Sequence, residues 1–276
     1  MGRSRRLGAG AVAVLGAAVG SLMLSGPGEA AAGSAQLLIS HAPASRVAQA
    51  TTQNWGGYNQ GKTEKGTLFR SVSATWTVPT ATPHQRGRLE ASSAWVGIGG
   101  GCYDVACNTG DGNTLIQTGT AQEVTPSGKS VYYSWYELIP AFETKIGLAV
   151  APGQRVSGSV QELTTPSPVT GKSTWRITLR NLSTGKTFTT TKTYRSTHGT
   201  AEWIEETPTI NGNFAPMPNL TRLVFTNVMA NGKSAGLAAK EAITLARGVT
   251  LAKPSAPSAG GGSFAACTYT KSCARP

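Results

Sequence analysis

Thr200-Ala201-Glu202-Trp203-Ile204-Glu205-Glu206-Thr207-Pro208 is the stretch around which the rest of the chain is organised. As a β-strand, it turns alternate side chains to opposite faces. Glu202, Ile204 and Glu206 then share one face, and Trp203, Glu205 and Thr207 share the other. One face carries two carboxyl groups, roughly 13 Å apart at about 3.3 Å per residue. A solvated sheet face is the plain alternative. A second stretch, Leu115-Ile116-Gln117-Thr118-Gly119, brings an apolar run up to a single amide side chain.

Outward from these two, short alternating segments recur with turn punctuation. Strands are predicted at 69–78, 91–98, 114–119, 130–138 and 155–163. Others fall at 173–181, 187–194, 201–206, 220–228, 241–245 and 263–269. Ser183-Thr184-Gly185-Lys186 joins two of them as a hairpin. Pro254 to Gly262 is a proline-, serine- and glycine-rich loop before a last strand. About a dozen strands without an amphipathic helix imply an all-β antiparallel sandwich or barrel.

The 276 residues suit one globular domain of moderate size and a core that needs no metal. Arg3, Arg5 and Arg6 precede an apolar run to about Leu24, and Ala30-Ala31-Ala32 offers a small-residue cleavage site. Residues 1–32 therefore read as a secretory signal peptide, with general and twin-arginine export both open. Residues 33–50 carry His41 and Arg46 and lack periodicity, so a pro-segment or flexible lead outside the packed structure is expected. The domain proper is expected over 51–276. No other stretch is apolar enough to cross a bilayer.

Twenty-five basic residues against 13 acidic ones give a net charge of +12. The positive charges are scattered, which argues against a nucleic-acid partner. Four cysteines allow three disulfide pairings, of which Cys102–Cys107 with Cys267–Cys273 is expected. Such short loops act as local clamps. The histidines His41, His84 and His198 lack metal-ligand spacing to one another. There is no Gly-x-Ser-x-Gly elbow, and Gly99-Gly100-Gly101 is not followed by the Lys-Ser/Thr of a phosphate loop. What remains is carboxyl chemistry.

Six segments in order resemble a known family: Asn54-Trp55-Gly56-Gly57, Ser73 through Pro79, Ala94-Trp95-Val96-Gly97-Ile98, Ile116-Gln117-Thr118-Gly119, Trp135-Tyr136-Glu137 and Ala201 through Glu206. Together they look like the glutamic peptidases (eqolisins, family G1). The resemblance implies two packed, roughly seven-stranded antiparallel sheets of the concanavalin or lectin type, and an acid-active endopeptidase without metal or cofactor. It implies a catalytic dyad of Gln117 and Glu206, with Glu202 the nearest alternative to Glu206. Trp95, Glu137, Glu202 and Trp55 are expected to line the substrate site, and Glu205 to face away. Two departures stand out. Gly99 and Ala121 occupy positions where the fungal members carry aspartate.

The implied chemistry is coherent. A lone glutamate titrates near 4.3, so it can serve as general base in acid. The Gln117 amide can donate to an oxyanion and does not titrate. A secreted monomer acting on polypeptides is expected, with no nucleic-acid partner and no membrane attachment after signal removal. Two alternatives remain open from the residues. One is a lectin-like carbohydrate-binding sandwich. The other is a two-carboxylate glycosidase using Glu137 with Glu206 or Glu202.

Overall fold

The computed structural model describes residues 37–48 and 50–276. The expected signal peptide lies outside the described residues. Two antiparallel sheets pack face to face, as the alternation of small strands and turns demands. The first runs in the order Thr144–Ile146, Ser130–Leu138, Leu115–Val124, Glu90–Gly99, Thr200–Glu206, Trp55–Gly61 and the start of Ala242–Arg247. The second runs Thr187–Tyr194, Ser173–Asn181, Arg155–Glu162, Ser71–Thr77, Leu223–Ala230, Phe264–Thr268 and Val249–Pro254.

The strand Ala242–Arg247 serves both sheets. Ala242 and Ile243 pair with Trp55–Gly61 in the first. Leu245 to Arg247 pair with Val249–Pro254 in the second. One strand that changes sheets closes that side of the sandwich and covers edges that would otherwise be open.

The interior between the sheets is aromatic and β-branched. Trp76, Trp175, Trp203, Tyr58, Phe225, Phe264, Val72 and Ile116 are all buried there. Buried indoles need a partner for their N–H groups. Two of them supply it reciprocally across the layers. Trp203, on the first sheet, donates to the Ser73 carbonyl of the second at 3.0 Å. Trp76, on the second, donates to Thr120 Oγ1 of the first at 3.0 Å. Packing and hydrogen bonding therefore fix the same sheet-to-sheet register.

The disulfides are Cys102–Cys107 and Cys267–Cys273, as expected. The expectation that the lead lies outside the packed structure does not hold. Ile39–Ser40 pairs with Thr209–Ile210, and His41 is fully buried. An unpatterned segment packs here because its contacts are made mainly by its backbone and the His41 ring, with Ile39 buried and Ala44 against the Trp55–Trp95–Trp135 cluster.

Replacing Trp203 by alanine removes a fully buried indole and its inter-sheet bond. A loss of about 3–5 kcal/mol of unfolding free energy is expected. Urea unfolding checks it, with a lowered midpoint and unchanged slope as the expected outcome.

Candidate active site

Thr200–Glu206 sits centrally in the first sheet, between Glu90–Gly99 and Trp55–Gly61. Every one of its residues is buried, on both faces. The expected alternation holds. Ala201 and Trp203 enter the inter-sheet core, whereas Ile204 joins Trp55, Trp95, Leu115, Ala121, Trp135 and Ile243 on the outer side. By alternation Glu202 and Glu206 share that outer side, and Glu205 points between the sheets.

Register brings the other candidates to the same face. Gln117 lies directly opposite Gly97 on one neighbouring strand and Glu137 on the other. Gly97 in turn lies opposite Glu202. A Cβ at Gly97 would come within 3.0 Å of Gln117 Cβ, a Leu115 methyl and the Trp95 ring. Glycine at that point keeps the floor open between the amide and the carboxyls.

Glu206 is fully buried, and its Oε2 accepts the Trp95 indole N–H at 2.7 Å. Trp95 is held edge-on by Trp55, with ring centroids 4.9 Å apart. The Gln117 amide donates to Glu137 Oε2 at 2.8 Å. Trp135 donates to Ser93 Oγ at 2.9 Å, which sets the plane of the neighbouring indole. Glu202 shares the face, but among the described residues neither of its carboxyl oxygens finds a partner, and it lies beside Gly101 and Asn59 under the Cys102–Cys107 loop.

The lead occupies this face. His41 stacks flat on Trp135, with centroids 3.6 Å apart and planes within 5°. One ring nitrogen, Nδ1, is 3.1 Å from Glu206 Oε2, and the other, Nε2, is 3.0 Å from Glu143 Oε2. The His41 backbone N–H donates to Glu137 Oε2 at 3.1 Å, and its carbonyl accepts from the Gln117 amide at 2.9 Å. Gln117, Glu137 and Glu206 thus converge on one residue. Trp55 and Asn54 donate to the next carbonyl, that of Ala42, at 3.1 and 3.0 Å.

His41 and Glu143 were invisible to sequence reasoning. Neither belongs to a motif, and their meeting depends on a long-range fold of the lead. The departures also find a cause. Gly99 takes φ of +103°, and a Cβ there would collide with the Thr114 carbonyl, so this backbone leaves no room for aspartate. Ala121 packs within the outer apolar cluster.

Burial governs the electrostatics. It pushes Glu137 up to about 7, although the His41 charge works against it. Burial also raises Glu206, opposed by His41 and the Trp95 bond. Glu205 is pushed up to about 8 and Glu202 well above its ordinary value, in both cases chiefly by burial. His41 would be lowered by burial, but Glu206, Glu143 and Glu137 together raise it to about 10. Among the described residues no group of three or more His, Cys, Asp or Glu side chains is arranged to hold a metal ion.

These shifts share one sign. Each raised group binds its proton more tightly in the folded chain than in the unfolded one. The folded state therefore holds more protons between about pH 4.5 and 8, and stability falls as pH rises through that window. Glu205→Gln removes one contributor without touching the outer face. Thermal unfolding from pH 4 to 8 is expected to flatten in that variant, by several kcal/mol at pH 8 at about 1.4 kcal/mol per unit.

A family model described as the peptidase A4 family matches residues 53–260. Among solved structures, scytalido-glutamic peptidase with a transition state analog inhibitor is similar at 22% identity and a TM-score of 0.55, over 78% of this chain and 98% of that one. A second structure of that peptidase, with a peptide based transition state analog, gives 22% identity and a TM-score of 0.53 over the same shares. A search of curated proteins finds no match. The two structures speak for the β-sandwich. The family match covers well over half of the chain, and the carbohydrate-binding and glycosidase alternatives give way to it. The chain belongs to the peptidase A4 family, the glutamic peptidases.

Proposed function

We propose that this glutamic peptidase is a secreted acid endopeptidase whose dyad is Glu206 and Gln117. One observation carries the reading: the carboxyl of Glu206 and the amide of Gln117 grip the same peptide residue, His41, from one sheet face. In the reaction, the Glu206 carboxylate takes a proton from a water as that water attacks the substrate carbonyl carbon. The carbonyl oxygen gains negative charge, and the Gln117 N–H donates to it. The carbon–nitrogen bond then breaks as Glu206 returns the proton to the leaving amine.

Glu137 supports this chemistry by what it lacks. With its proton retained up to about pH 7, it holds the Gln117 amide without placing a second negative charge beside the oxyanion. Trp95 and Trp55 exclude water around Glu206, and the Trp95 N–H keeps the carboxyl from being wholly unpartnered. Burial raises Glu206 above its ordinary value, which suits a base working in mild acid.

The lead makes this form latent in the same reading. While His41 fills the cleft, neither substrate nor water reaches Glu206. Residues 33–50 act as the pro-segment, and the active enzyme begins near Thr51. Sequencing the N-terminus of acid-activated protein tests this. Intact residues 33–50 on a fully active enzyme contradict it.

Casein hydrolysis by acid-activated protein across pH 2 to 8 tests the dyad. Gln117→Ala is expected to lower kcat on the order of 100- to 1,000-fold. Glu206→Gln is expected to lose on the order of 100- to 10,000-fold or more. Turnover like the wild type in either variant refutes the assignment.

A further inference from the structure

The lead is held largely through its backbone. The Glu143 N–H donates to the Ile39 carbonyl at 3.3 Å, and the His41 N–H donates to Glu137. The His41 carbonyl takes the Gln117 amide, and the Ala42 carbonyl takes Trp55 and Asn54. The Ala44 N–H donates to the Gly100 carbonyl at 3.1 Å. Backbone contacts of this kind grip an extended chain whatever its sequence, and pockets for individual side chains then supply the selectivity.

We propose that residues 39–44 lie in the register of a substrate, with His41 immediately before the bond to be cut, so that Trp135 and Glu143 form the pocket that reads the residue preceding the cleavage point. The inference rests on the dyad reading above. An amide that polarises a carbonyl marks the carbon to be attacked, and the carbonyl that Gln117 holds is that of His41. The side chain of that residue lies flat on the Trp135 indole, with Glu143 at its far edge. The Glu143 side chain is only 4% exposed, and its second oxygen is 3.9 Å from Lys145 Nζ. A flat side chain with a hydrogen-bond donor at its tip fits that space. Arginine and tyrosine meet the description.

Histidine meets it too, with one difference. Its Nδ1 is 3.1 Å from Glu206 Oε2, where the attacking water must be held. The ring nitrogen ties up the carboxyl oxygen that has to take the water's proton, so the 41–42 bond is positioned but not cut. A residue of the same shape without the nitrogen leaves Glu206 free. The bond then becomes an ordinary substrate: water adds to the carbonyl carbon of residue 41, the bond to the Ala42 nitrogen breaks, and Ala42 leaves as a free amine.

The full-length chain with His41→Phe tests the register. Phenylalanine keeps the stack on Trp135 and offers nothing to Glu206. In acid, mass spectrometry is expected to find a new N-terminus at Ala42, absent from the wild type and from the His41→Phe/Glu206→Gln double variant. A His41→Phe protein that digests casein while its 41–42 bond stays whole overturns the register. A wild-type protein that digests no casein at any pH overturns the dyad reading, and the register with it. The pocket is read separately with peptides carrying arginine or leucine before the cut. Glu143→Gln is expected to shrink the arginine-over-leucine ratio in kcat/KM about tenfold, the size of one lost charge-assisted hydrogen bond. An unchanged ratio overturns the role of Glu143.

Discussion

The hydrogen bond from the Trp95 indole to Glu206 Oε2 marks the constraint on which the site depends: a carboxyl kept out of water with very little to compensate it. Burying a charge without partners costs several kcal/mol, and the usual response is to hold the proton. Here the remaining partner of that oxygen comes from the lead, through His41. The other oxygen, Oε1, has no partner among the described residues. A carboxyl in that state is ready to exchange a proton with whatever enters the cleft.

The same constraint spreads beyond Glu206. Glu202 and Glu205 are buried, and among the described residues none of their four oxygens has a hydrogen-bond partner. Glu137 is held by an amide and a backbone N–H, not by a cation of the sheet itself. A sheet built with so many carboxyls inside is suited to conditions in which they are neutral. The cleft-bound imidazolium then has a second meaning. Its two ring nitrogens give Glu206 and Glu143 one hydrogen-bond partner each while the lead is in place.

Much of this was legible in the sequence. The alternation of Thr200–Glu206 separated Glu202 and Glu206 from Glu205 correctly, because period two is a property of the backbone and not of context. The strands Ser130–Leu138, Ser173–Asn181 and Thr187–Tyr194 stood where aromatic and β-branched residues put them. Trp55–Gly61 did not read as a strand, since Trp-Gly-Gly-Tyr-Asn-Gln-Gly has neither alternation nor β-branched residues. Its place is fixed by pairing on both sides. Val249–Pro254 was missed beside a proline-rich loop. A solvated face for Glu202 and Glu206 was also open from the residues alone, and burial of the whole strand closes that option. The lead was the largest gap. Nothing local in Ser40-His41-Ala42 signals that it meets residues about 100 to 165 positions away.

A nuclear magnetic resonance titration of the His41 ring in the full-length protein tests the central claim most directly. Held between the Glu206 and Glu143 carboxyls and flat on Trp135, the ring is expected to keep its proton through neutral pH, lose it near pH 10, and show strong ring-current shifts throughout. A ring that titrates near the free-histidine value of about 6.5 without such shifts contradicts the account.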